Sequence, residues 1–205
     1  MHTSPDQAWA QASAAWYDAH AQAFAGAADG CTTTPYQLLF LDALPPTGPV
    51  LDVGCGSGRD MAAFHAAGRD VVGWEPAPAL AAIARAKGVG TVEGHSLDAL
   101  PHHGPWAGIW MMAVLLHCPR ASWERHLRAA VDQLVPNGAL FACVKAGDGE
   151  GVDARGRPFA AMPLPALERM TAAIPYTTWS LWSSDEQDSS GQVITWHNIL
   201  GRRWP

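Results

Sequence analysis

Charge is scarce in this sequence: Asp, Glu, Lys and Arg make up 16% of 205 residues, against 48% hydrophobic. That apolar content can bury a core, which excludes an intrinsically disordered chain. Basic runs are missing too, with 13 Lys and Arg against 19 Asp and Glu and a formal net charge of −6. Such a balance offers no patch for neutralising phosphates, so nucleic acid is not an expected partner. No apolar stretch approaches the roughly 18–20 residues a membrane span needs, so no membrane partner is expected either. The first residues, Met1 to Gln11, lack the basic and apolar regions of a secretory signal. Cysteine is sparse. Cys31, Cys55, Cys118 and Cys143 form no CxxC pair, so no zinc or redox site is indicated, no metal is expected, and a reduced, cytoplasmic setting is the default.

What the sequence does have is tryptophan, 10 residues beside 3 Tyr and 5 Phe. Rings of that size are costly to leave on a surface, so some should line something. The length suits one domain of moderate size.

Residues 6–25 read as one Ala-rich helix, with Trp9, Trp16 and Phe24 at helical spacing and Gly26 and Gly30 as breakers. A second helix spans Thr34–Ala43, stopped by Pro45 and Pro46. From Val50 the pattern changes to short apolar runs alternating with helices. Strands are predicted at 50–53, 70–74, 90–93, 107–112 and 139–144, with helices at 59–67, 77–87 and 120–134. That alternation argues for a parallel sheet with helices on both faces. Residues 145–162 read as a charged loop and 164–173 as a helix. Residues 176–182 and 192–200, flanking a polar turn, read as an antiparallel hairpin.

The first strand enters Gly54-Cys55-Gly56-Ser57-Gly58, where chain without Cβ atoms can turn sharply and approach a ligand. The turn leads into a helix, whose first N–H groups suit an anionic group. A GxGxxG fingerprint would need glycine at 59, and Arg59 stands there. Glu75 ends the second strand. In a doubly wound sheet its carboxylate lies beside the glycine turn, within reach of both ribose hydroxyls, and would repel a 2′-phosphate.

Val50-Leu51-Asp52-Val53-Gly54-Cys55-Gly56-Ser57-Gly58 resembles motif I of the class I S-adenosylmethionine-dependent methyltransferases, and Glu75 matches the acid of their second strand. Gly108 to His117 resembles their fourth strand and following loop. Pro136-Asn137-Gly138 resembles the turn before their fifth. Arg59-Asp60 and Leu115-Leu116-His117 resemble the bacterial subgroup of tellurite-resistance methyltransferases. The resemblance implies a Rossmann-like α/β fold, a seven-stranded sheet mostly parallel with an antiparallel C-terminal hairpin. It implies an N-terminal helical lid over 1–35 and a methyltransferase domain over 36–205. The implied cofactor is S-adenosylmethionine, and the implied activity is in-line methyl transfer to a small molecule. The rivals are an S-adenosylmethionine-binding sensor without transfer and, more weakly, a nicotinamide oxidoreductase.

Carried over residue by residue, the resemblance gives Asp52 to the glycine turn and the cofactor's amino group, and Gly54, Cys55 and Gly56 to the methionine moiety. Glu75 goes to the ribose, Pro76, Ser96, Leu97 and Asp98 to the adenine, and Met111 and Met112 to the methionyl group. His117, in the loop after the fourth strand, is the first candidate for a general base. Lys145, at the end of the fifth strand, is the second catalytic candidate. Tyr17, Arg59, Glu150, Arg157, Trp196 and Asn198 are the candidates for contact with substrate. Trp74, Trp110 and Trp196 are the rings expected near the ligand crevice.

Overall fold

The short apolar runs of the sequence become the centre of one seven-stranded sheet. The structure is a computed structural model and describes residues 4–31, 33–187 and 191–205. β1 (Val50–Val53), β2 (Val71–Trp74), β3 (Thr91–Glu93), β4 (Trp106–Met111) and β5 (Leu134–Lys145) run parallel. Two further strands of this sheet pair antiparallel, Val193–Arg203 on β5 and Thr177–Gln187 on Val193–Arg203. The spatial order places β3, β2, β1, β4 and β5 side by side, followed by the last strand and then the one before it. The chain therefore moves outward from β1 through β2 to β3, then returns to β4 on the other flank. That reversal is a topological switch point, and open sheets bind ligands outside the strand ends there.

Alternation within the strands makes two cores. Leu51, Val53, Ile109, Met111, Leu140 and Ala142 face one side, where they meet Trp123, Leu127 and Val131 of helix 123–132. Val50, Trp110, Phe141 and Cys143 face the other, against Phe40, Leu44, Met61 and Phe64. In chain order the helices are α1 (Pro5–Ala19), α2 (Ala21–Asp29), α3 (Thr34–Ala43), α4 (Arg59–Ala66), α5 (Pro78–Ala86), α6 (Trp123–Asp132) and α7 (Leu164–Ala172).

Three expectations are corrected. The single helix expected over 6–25 is two helices, α1 and α2, and Gly26 lies inside the second. The break falls at His20 (φ −117°, ψ 17°), whose Nδ1 lies 2.7 Å from the Trp16 carbonyl while its ring stacks on Trp16. The loop expected over 145–162 contains a small hairpin, β6 (Glu150–Val152) and β7 (Pro158–Ala160). Asp153 Oδ1 accepts from the backbone N–H groups of Arg155 and Arg157, which closes the hairpin turn. The C-terminal strands β8 (Thr177–Gln187) and β9 (Val193–Arg203) are longer than expected, and much of the expected polar turn is strand. Part of that turn, residues 188–190, lies outside the described residues. The expected lid boundary at 35 falls within the first turn of α3.

Candidate active site

β1 delivers the chain into the glycine turn at the switch point. Gly54, Gly56 and Gly58 all adopt left-handed backbone, with φ of 65°, 55° and 78°. A Cβ on Gly54 would stand 2.8 Å from Val114 Cγ2 and one on Gly58 3.2 Å from Ala84 Cβ, so side chains are excluded by both backbone and space. β2 ends beside this turn and releases Glu75. Its Oε2 accepts from the Gly56 amide at 2.9 Å and its Oε1 from the Ala77 amide at 2.8 Å. Burial pushes the Glu75 carboxyl up, and those two N–H groups pull it back down.

A cavity of about 1330 Å³ opens over these strand ends. Ligand pockets commonly measure about 300–1,000 Å³, so this volume admits a cofactor with a second small molecule. Among the sequence candidates, Tyr17, Gly54, Cys55, Gly56, Arg59, Glu75, Pro76, Ser96, Leu97, Asp98, Met112, His117, Lys145, Arg157, Trp196 and Asn198 line it. Three expected residues lie elsewhere. Asp52 is buried beneath the turn, Met111 packs in the core opposite, and Glu150 is tied to Arg120 outside the wall. Of the three rings expected at the crevice only Trp196 lines it. Trp74 and Trp110 are fully buried core residues whose indole N–H groups go to Glu93 and Asp60.

The residues of the glycine end fit S-adenosylmethionine. Gly54 and Gly56 present bare backbone to the cavity, and Glu75 supplies two acceptor oxygens for a diol. Asp52 is 2% exposed and its Oδ2 has no partner, and burial holds its carboxyl well above the usual range. At the far end Asp6, Asp98 and His126 come together. Arg125 already supplies the positive charge there, 2.6 Å from Asp6 and 3.5 Å from Asp98.

His117 is held from both sides. Its Nδ1 lies 2.8 Å from the Pro158 carbonyl, so that nitrogen carries the proton, and Nε2 accepts the Tyr17 hydroxyl at 2.8 Å. Arg157 donates to the Tyr17 oxygen at 3.2 Å, lies over the Trp16 ring and pairs with Asp153 at 2.8 Å. Trp16 donates to the Arg155 carbonyl at 2.7 Å. α1 is thus fastened to the β6–β7 hairpin, and His117 lies in the joint. Burial lowers the His117 pKa from 6.5 to about 4, so the ring is neutral at physiological pH. Its contribution to stability is present above about 6.5 and is lost as the pH falls towards 4. For turnover, His117 contributes no acid limb near pH 6.5, because it charges only near 4. A pH–rate profile with a limb at 6.5 that vanishes in His117→Ala would contradict this placement.

Two features escaped the sequence reading. Tyr36 of α3 lines the cavity opposite β9. Asp60 is 5% exposed and accepts five hydrogen bonds, from Thr33, Gln37, Trp110 and twice from Arg59. Arg59 therefore spends its fork on Asp60, with Nη1 on the Ala28 carbonyl, although it lines the cavity. The neighbouring Arg59-Asp60 pair was visible in sequence, but Asp60's more distant partners were not.

The sheet order, the glycine turn and the acid at the end of β2 define the class I S-adenosylmethionine-dependent methyltransferase fold. Residues 50–138, which hold the turn and that acid, match the family described as a methyltransferase domain. Solved structures agree with this fold. The 1,6-didemethyltoxoflavin-N1-methyltransferase of Burkholderia thailandensis has a TM-score of 0.76 at 18% identity, over 100% of this chain and 93% of that one. A possible histamine N-methyltransferase of Thermotoga maritima scores 0.64 at 15% identity, over 92% and 98%. TehB of Haemophilus influenzae scores 0.60 at 15% identity, over 77% and 58%. No curated protein matches the chain.

Proposed function

We propose that this protein transfers a methyl group from S-adenosylmethionine to a small-molecule acceptor. The observation that carries this reading is one continuous cavity running from Glu75 and the glycine turn to Tyr36, Trp196 and Asn198. When bound, S-adenosylmethionine supplies an electrophilic methyl on a cationic sulfur, and the acceptor's lone pair displaces it in line. The chain's own work is placement and exclusion of water. Glu75 holds the ribose end, and α1 and α2, as a lid, cover it with Tyr17 and Phe24. β9 and α3 hold the acceptor.

The structural relatives support a small acceptor, since the B. thailandensis enzyme was crystallised with 1,6-didemethyltoxoflavin and S-adenosylhomocysteine. The acidic balance of the chain supports the same reading against nucleic acid. No helix among the described residues is long and apolar enough to cross a membrane. With four thiols free, a cytoplasmic setting is proposed. His117 acts as a positioning residue between lid and hairpin, and Lys145, at the end of β5, faces the acceptor.

The test is product formation. The protein is incubated with S-adenosylmethionine and pools of small amines, heteroaromatics and thiols, and S-adenosylhomocysteine is measured. Its release with at least one pool is expected. Tight cofactor binding with no release from any pool would favour the sensor reading, and binding of NAD alone would sink both.

A further inference from the structure

The turn of the β6–β7 hairpin forms a seat for α1. Asp153 Oδ1 holds the turn through the Arg155 and Arg157 amides, and its Oδ2 accepts from Arg157 Nε at 3.0 Å and Nη2 at 2.8 Å. The pair is 15% and 17% exposed, so water competes little, and the two bonds fix where the guanidinium points. It points at α1. Its Nη1 donates to the Tyr17 hydroxyl at 3.2 Å, and its carbon stands 5.2 Å from the centre of the Trp16 ring.

From Tyr17 the contact runs on to the glycine turn. The Tyr17 ring meets Phe24 edge-on at 4.8 Å, and Phe24 Cε1 stands 3.4 Å from where a Cβ on Gly56 would lie. Tyr17, Phe24 and Gly56 all line the cavity. α2, which carries Phe24, is tied to the base of the site. Ser57 and Lys87 donate to Asp29, and Arg59 donates to the Ala28 carbonyl. α1 is separated from α2 by the break at His20. Two of its polar ties away from the hairpin, Arg125 to Asp6 and the Ala79 amide to Asp18, are exposed. Exposed pairs hold little, so the half-buried Tyr17 bonds to Arg157 and His117 carry more of the hold on α1.

We propose that Arg157 is a positioning residue that acts through Tyr17 and Trp16: it keeps α1 closed over the cofactor and sets how fast S-adenosylhomocysteine leaves. α1 opens about His20 when the Tyr17 hydroxyl parts from Arg157 and His117. Opening of such lids commonly limits release of product. The proposal rests on the methyltransferase reading of the cavity.

The experiment is surface plasmon resonance with S-adenosylhomocysteine on the immobilised full chain, which separates association from dissociation. Arg157→Leu is expected to speed dissociation at least about tenfold, the effect of losing a hydrogen bond from a charged donor. Association should stay within about twofold. On a Tyr17→Phe background, which already lacks the hydroxyl, Arg157→Leu should add no more than about threefold, the share of the Trp16 contact. Dissociation within about twofold of wild type in Arg157→Leu overturns the proposal. A full tenfold effect on the Tyr17→Phe background overturns it too, because Arg157 would then act by another route. So does a loss of affinity carried by slower association alone, which a merely loosened hairpin would give. Should Arg157→Leu not fold, Tyr17→Phe decides: at least tenfold faster dissociation supports the proposal and an unchanged rate overturns it. If S-adenosylhomocysteine fails to bind the unchanged protein, the methyltransferase reading falls and this proposal with it, a result distinct from a bound ligand released at an unaltered rate.

Discussion

Glu75→Ala is expected to weaken S-adenosylhomocysteine binding at least about a hundredfold. Hydrogen bonds to a charged group contribute about 1.5–3 kcal/mol each, and a diol on both carboxylate oxygens makes two. About 2.8 kcal/mol is a hundredfold at 25 °C. The same oxygens hold the Gly56 and Ala77 amides, so their loss also loosens the turn that carries the site. Glu75→Gln keeps an acceptor oxygen and should fall between the two. There is a pH dependence with a definite sign. Burial raises the Glu75 pKa, so the charged acceptor is lost as the pH falls through that raised value, above the ordinary 4.5. Wild-type affinity should therefore decline on mild acidification, and Glu75→Gln should lose that decline. Titration calorimetry at several pH values measures both.

Asp60→Ala is expected to cost about 3–5 kcal/mol of stability, the range for breaking a buried charge pair from one side. The carboxylate satisfies Thr33 and Gln37, which hold α3, and Trp110 in β4. Removing it leaves the Arg59 guanidinium, itself 23% exposed, and the Trp110 N–H without their partner. For a chain of this size each kcal/mol shifts Tm by about 2–4 °C, so a drop of roughly 6–20 °C is expected. Because Asp60 links α3 to the glycine turn, Tyr36 moves with it. Asp60→Asn keeps the shape but removes the charge that Arg59 needs and should be intermediate. A Tm within about 2 °C of wild type would show that the five hydrogen bonds do not carry this weight.

The sequence showed β1, the glycine turn and Glu75 clearly because their signals are local. A continuous apolar run, three glycines and an acid at a strand end each read within a few positions. The break at His20 was invisible, since no Gly or Pro marks it. It depends on an imidazole turning back onto Trp16. The β6–β7 hairpin was missed for a related reason. Its strands are three residues each, too short for a period, and Asp153 organises the turn through side-chain geometry. Trp74 and Trp110 stood at the right height on the sheet but are fully buried, with acceptors of their own in Glu93 and Asp60. The Asp60 hub draws Thr33 and Gln37 from α3 and its cap and Trp110 from β4, a convergence no single window contains.

The central claim is that Glu75 holds the cofactor's ribose while the sulfur faces Tyr36, Trp196 and Asn198. A crystal structure with S-adenosylhomocysteine tests it most directly. The account predicts both ribose hydroxyls within hydrogen-bond distance of the Glu75 carboxylate and the sulfur open to the β9 end of the cavity. A ribose away from Glu75, or a sulfur turned from Trp196 and Asn198, would contradict it.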